Sequence, residues 1–210
     1  MWDKLERKVT EALEGGGYGA FAGGFAVDRA DSDNGSASGD VPRARRPEVL
    51  VGHGGIGTPF AKLGKALFGI LTNDVPALST TTATDDLAVR KKRQAGNGAF
   101  FGTWDSLAGR WLAAGQPRSA SGVTTTVALT DGTMRFVYVQ SRRLSGKLGN
   151  AVEPGAAFPR DALVWTRRSN TFRDVQFGFA DGSWGTLLVP DMDDFLEYFP
   201  ETLSHQQPIP

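Results

Sequence analysis

The stretch that most constrains the fold is residues 123–140, "VTTTVALTDGTMRFVYVQ". Two β-rich runs meet there at Asp131-Gly132, a dipeptide that supplies the positive φ angles of a tight hairpin turn. In the second run Met134, Phe136 and Tyr138 alternate with Arg135, Val137 and Val139, a period-two pattern that puts the largest side chains on one face. The rhythm continues through "ALVWTRR", a Ser169-Asn170 turn, "DVQFGFA", and a second turn at Asp181-Gly182-Ser183 into "WGTLLVP". "DMDDFLEYFPETL" then reads as a short helix, with Asp191 as its cap and Phe195, Leu196 and Phe199 facing inward. The segment "SRRLSGKLGNAVEPG" between these runs reads as a glycine-containing connection. About five antiparallel strands closed by a terminal helix are expected, within an α+β chain.

Two further helices are legible. "FGTWDSLAGRWLAAGQP" has Thr103 as a cap, and Trp104, Leu107, Ala108, Trp111 and Leu112 as one apolar face. Gly115 and Pro117 end it. Two tryptophans on one stripe favour a core role over a ligand platform. Near the start, Trp2, Leu5, Val9, Ala12 and Leu13 fall at helical spacing before Gly15-Gly16-Gly17, which predicts an amphipathic helix docked on the domain. Residues 15–47 are glycine-rich and weakly patterned. Asp28, Asp31, Asp33, Asn34 and Gly35 miss the register of a calcium loop, with glycine one position early and no closing glutamate. The expected organisation is a mixed, Gly-rich region over 1–98, which could pack on the same core, followed by a helix plus β domain over 99–210.

Bulk composition excludes some chemistry. Apolar residues make up 40% and charged residues 22%, enough for a packed core. The formal net charge is zero, which argues against a surface built throughout for nucleic acid or acidic membrane. No cysteine is present, so thiol chemistry and cysteine metal sites are out. His53 and His205 are the only imidazoles, which leaves no convincing Ser-His-Asp arrangement or zinc site. Asp191, Asp193 and Asp194 sit at a helix start, where complementing the dipole accounts for them. The opening residues lack the apolar core of a signal peptide, and no apolar run approaches a transmembrane span, so a cytoplasmic protein is expected.

One motif asks for a ligand. In "EVLVGHGGIGTPFAKLGK" (residues 48–65), Gly52-x-Gly54-x-x-Gly57 lies between an apolar stretch, Val49 to Val51, and a helix-like run started by Thr58-Pro59. A dinucleotide site needs a strand, the glycine turn, a helix, a second strand and an acid about 20 residues on. Asp74 is near that place, but no second strand fits before it, and Gly57 is followed by Thr-Pro rather than the Lys-Ser/Thr of a phosphate loop. A simpler anion site remains, with Gly52, Gly54, Gly55, Gly57 and Thr58 offering amides and Lys62 nearby. The reading preferred is a structural turn. Basic surface is densest at Arg90, Lys91, Lys92 and Arg93, with Arg142, Arg143 and Lys147 as a second group. Nucleic acid or anionic lipid on these residues is the weaker option against a solvated face. No cofactor is implied.

The hairpin with its "LTDGTMRF" turn, the later "VQFGFADGS" phrase and the closing "DDFLEYF" helix resemble the bacterial pleckstrin-homology-like domains, over residues 120–203. That resemblance implies an antiparallel β-barrel or roll plugged by a helix, serving mostly in protein interaction or assembly. In the wider superfamily, basic residues near the first hairpin hold inositol phosphates, and Arg142, Arg143 and Lys147 mimic that placement. The whole chain also resembles an actinobacterial protein family, a likeness that implies no activity. The expected function is non-enzymatic binding or scaffolding, through a protein partner or self-association. The alternative is a nucleotide- or phosphate-binding protein using the Gly52–Thr58 loop.

Overall fold

The computed structural model describes residues 2–27, 41–53, 100–142, 147–168, 174–189, 192–204 and 207–209. In chain order the elements are α1 (Trp2–Gly15), β1 (Gly23–Val27), β2 (Phe100–Phe101), α2 (Leu107–Gly115), β3 (Gly122–Thr130) and β4 (Thr133–Ser141). These are followed by β5 (Leu148–Pro159), β6 (Leu163–Arg168), β7 (Asp174–Phe179), β8 (Trp184–Leu188) and α3 (Met192–Tyr198). The strands form two antiparallel four-stranded sheets, ordered β1-β3-β4-β5 (sheet 1) and β2-β8-β7-β6 (sheet 2). Among the described residues no strand pairing joins the sheets, so the expected closed barrel is not formed; the α+β class stands.

Both Asp-Gly turns fall where the sequence puts them. Gly132 (φ 74°) and Gly182 (φ 77°) take the left-handed conformation that L-residues avoid. Thr130 then pairs Thr133 across the first turn, and their hydroxyls bond each other. Among its described residues the carboxyl half holds six strands rather than five. The supposed connection after β4 contains β5, twelve residues long, with Pro154 opposite Val137 and a register shift between Arg135 and Val137. Two prolines and two glycines are tolerated because β5 is the edge of sheet 1, where a missing N–H breaks no ladder. "GGFAV" in the weakly patterned N-terminal region is β1, paired with β3 on the opposite edge.

The period-two pattern of β4 now has two partners. Met134, Phe136 and Tyr138 face the core shared with sheet 2, while Val137 and Val139 face Leu5, Val9 and Leu13 of α1. The first helix therefore docks on the outer face of sheet 1, as its apolar stripe requires. Between the sheets sits Trp111 of α2, fully buried, its ring centroid 4.8 Å from Phe136 and 5.1 Å from Phe158 on sheet 1. The same ring is 5.8 Å from both Phe177 and Phe179 on sheet 2. After the last strand α3 returns to sheet 1, with Phe195 edge-on to Phe25 of β1 at 4.9 Å.

The start of α2 corrects one expectation. Its cap is Ser106, whose Oγ accepts from Gly109 N, rather than Thr103. Thr103 instead accepts Ser106 N at its carbonyl, and Trp104 lies ahead of the helix, stacked on Phe100. The helix begins late because its first amides already have acceptors on the β7–β8 turn. Leu107 N donates to Asp181 Oδ2 (2.8 Å) and Ala108 N to Ser183 Oγ (3.0 Å).

Candidate functional site

The expected glycine site divides. Gly54, Gly55, Gly57, Thr58 and Lys62 lie outside the described residues, as do Asp74, Asp191, His205, Arg90, Lys91, Lys92, Arg93 and Arg143. Its start is described, and it is not the expected strand. Glu48 makes a single bridge to Arg118; the chain then turns, with Leu50 (φ 53°) and Gly52 (φ 87°) left-handed, and His53 N donates to Leu50 O at 3.1 Å. The turn forms because its ends are fastened. Val49 and Leu50 are buried, Val49 N donates to Arg118 O, and Leu50 N donates to Glu153 Oε2 at 2.6 Å. A strand entering a dinucleotide loop at Val49 to Val51 is thereby ruled out.

His53 O accepts from Gln140 Nε2 at 2.6 Å, near the end of β4. Arg142 and Lys147, both exposed, close the β4–β5 connection two residues further on, with Arg142 N donating to Lys147 O. The fold thus brings the first residues of the glycine motif to the same end of sheet 1 as the second basic group. Asp193, 88% exposed on its side chain, pairs with Arg168 at 3.3 Å. Among the described residues no group of three or more His, Cys, Asp or Glu side chains could hold a metal ion.

A different surface carries more structure. On the outer face of sheet 2, strand register lines up Trp165, Gly178 and Trp184 as one cross-strand row, with Phe101 of β2 opposite Trp184. Two residues along, Arg167, Gln176 and Thr186 form a second row. The central glycine is required: a Cβ at Gly178 would run into the Trp165 indole, which lies across it. Phe101 stacks on Trp184 at 6.4 Å. One row is aromatic, the other polar.

The polar row is buried. Arg167 is 3% exposed, and its Nε donates to Gln176 Oε1 at 2.7 Å, while Gln176 Nε2 reaches Thr186 Oγ1 at 3.4 Å. Its guanidinium carbon lies 5.8 Å from the Trp165 ring centroid. Burial pulls the Arg167 pKa below the ordinary arginine value, yet an arginine stays charged at neutral pH. Among the described residues no carboxylate pairs with it. Its Nη1 donates instead to the backbone carbonyl of Gln207 at 2.8 Å.

That carbonyl belongs to a segment laid over β6 and its outer face. Thr202 N and Leu203 N both donate to Thr166 O, and Thr166 N donates to Thr202 Oγ1. Further along, Ile209 is 2% exposed in a cluster with Trp165 and Trp184, and Leu203 packs against it. The sequence held a signal for this face. Trp165 and Trp184 alternate away from the core residues Phe177 and Phe179, and strands with large side chains on both faces are covered on both faces.

Comparison with known proteins adds no family: no protein-family model, curated protein or solved structure matches the chain. What the fold and the site define is a class: an α+β protein of two antiparallel sheets, one covered by a helix, the other by residues 202–204 and 207–209 near the chain's end. Among the described residues no helix is long and apolar enough to cross a membrane.

Proposed function

We propose that the chain is a non-catalytic binding or scaffold protein that acts on a protein partner, in a cytoplasmic setting. The observation that carries this reading is the outer face of sheet 2, which holds residues 202–204 and 207–209 by apolar anchors, hydrogen bonds to Thr166 on the edge strand and a buried arginine. Peptide recognition elsewhere likewise combines main-chain bonds for affinity with pockets for side chains. A pleckstrin-homology-like reading of the β domain is supported by the Asp131-Gly132 hairpin and by α3 following the last strand onto sheet 1. The test is selection of displayed random peptides on immobilised full-length protein, alongside sedimentation of the protein alone. Enrichment of a consensus that soluble peptide competes away, or reversible self-association, is expected. A strictly monomeric protein that enriches no sequence overturns the proposal.

A second reading, phosphate or nucleotide binding at Gly52–Thr58, is favoured by one observation. His53 is tied to Gln140, close to Arg142 and Lys147, so basic side chains stand near the start of that loop. It requires phosphate, ATP or NAD to raise the melting temperature, and Gly54→Val with Gly57→Val to remove that shift.

A further inference from the structure

We propose that residues 201–204 and 207–209 act as a guard on the free edge of β6, closing it against antiparallel pairing with β6 of a second copy of the chain. The inference concerns a device of the fold and does not depend on the protein-binding reading above.

Among the described residues β6 lies at the end of sheet 2 and pairs with β7 alone. In an antiparallel ladder alternate residues turn their main-chain groups toward the neighbour, and the others turn away. Thr166 and Arg168 are the outward pair, and the guard meets both. Thr166 O accepts Thr202 N at 3.0 Å and Leu203 N at 3.2 Å, while Thr166 N donates to Thr202 Oγ1 at 3.2 Å. Arg168 N donates to Glu201 Oε1 at 3.1 Å. A further strand would satisfy the same groups but present a new open edge. The guard presents none. Two successive amides converge on one carbonyl, and side-chain oxygens accept from Thr166 N and Arg168 N. The chain then turns, with Gln207 N donating to Ser204 O at 3.0 Å. Leu203 and Ile209 anchor the guard on Trp165 and Trp184, and Arg167 Nη1 holds Gln207 O.

The occupant kept out follows from the strand's own sequence. Open edges template the addition of another strand, and "LVWTRR" is complementary to itself. With Thr166 facing Thr166 across a two-fold axis, Arg168 falls opposite Val164 and Arg167 opposite Trp165, so no cation faces a cation. The outward main-chain groups of the two Thr166 residues then bond each other. Val164 is already 50% exposed, an apolar surface for the stem of the opposing Arg168. Releasing the guard also uncovers the aromatic row beside this edge, which favours association further.

The test uses the full-length chain carrying Thr202→Pro, Leu203→Pro and Ile209→Ala, which removes both amides from Thr166 O together with the two apolar anchors. Sedimentation velocity should show a concentration-dependent dimer. At low concentration hydrogen exchange at Thr166 N and Arg168 N should be at least about tenfold faster than in the wild type, and at high concentration protection should return. In the wild type both amides should stay protected at every concentration. Adding Val164→Lys, a change at an exposed position, sets a cation opposite Arg168 twice across the axis and should weaken the dimer about fivefold. If the triple variant does not fold, Thr202→Pro with Leu203→Ala is read in the same way. A folded variant that stays monomeric overturns the proposal, as does one that associates while Thr166 N and Arg168 N remain unprotected. A dimer indifferent to Val164→Lys overturns the two-fold pairing of β6. None of these outcomes bears on peptide selection by the wild-type chain, so the two readings fail separately.

Discussion

Tyr138 shows how much one side chain can join. It stands on β4, packs into the core, and donates from its hydroxyl to Ala114 O of α2 at 2.9 Å, which satisfies one of the carbonyls a helix leaves open at its end. Gly155 on β5 makes room for the ring, since a Cβ there would strike it. Burial first, and then the nearby Glu153 carboxylate, push its ionisation well above the ordinary tyrosine value. The sign follows. A group whose folded pKa is raised contributes stability that is fully present below its unfolded pKa and lost as pH rises above it. Stability should therefore be unaffected by Tyr138 ionisation at neutral pH and decline above about pH 10. Tyr138→Phe should cost about 1 kcal/mol at pH 7 through the lost hydrogen bond. Urea midpoints taken between about pH 10 and pH 11.5 should fall less steeply in the variant, by about one proton's worth of slope. Identical slopes would show that Tyr138 ionises in the native protein as freely as in the unfolded chain.

At the scale of elements, the start of α2 is built by a hairpin far away in sequence. Asp181 accepts from Leu107 N at one oxygen, and from Ser183 N and Oγ at the other, while Ser183 Oγ takes Ala108 N. A carboxylate at a helix N-terminus gains from both the open amides and the dipole. Asp181→Ala should cost about 1–2 kcal/mol, and amide exchange at the first turn of α2 should quicken before that of β4; a uniform rise would argue against a capping role. This cap marks the limit of what the sequence shows. The Asp-Gly turns, the β4 alternation and the stripe of α1 were legible because each is local. The helix starts after Ser106 rather than Thr103 because the amides of Leu107 and Ala108 find acceptors more than seventy positions on. β5 was missed because Gly149, Pro154 and Gly155 exclude a central strand, and nothing in the sequence says that this one lies at an edge. Val49 to Val51 looked like a strand by composition, but the Glu153 and Arg118 contacts that fix the turn are non-local. For the candidate site, the alternating Trp165 and Trp184 were visible, but the register that sets Arg167 beside Gln176 and the segment that covers them belong to tertiary structure.

For the whole molecule, the question is what makes two separately hydrogen-bonded sheets one cooperative unit. Strand pairing does not link them among the described residues, so coupling has to pass through the shared core. Phe158 of sheet 1 and Phe179 of sheet 2 touch directly, at 6.5 Å between centroids, but Trp111 meets two aromatic rings on each side. Close-packed interiors relax only partly around a deleted side chain, so Trp111→Ala should cost about 3–5 kcal/mol. The Trp111 ring also carries a cost of its own, because its buried Nε1 has no hydrogen-bond partner among the described residues. Trp111→Phe removes that orphan donor along with some volume, and its cost should stay below about half that of the alanine change. Residue-resolved hydrogen exchange separates coupling from local packing. If Trp111 joins the sheets, Trp111→Ala should lower protection of β4 and β7 together and by similar factors. Loss of protection in one sheet alone would mean that Trp111 belongs to that sheet's core and that the aromatic contacts around Phe158 and Phe179 carry the coupling.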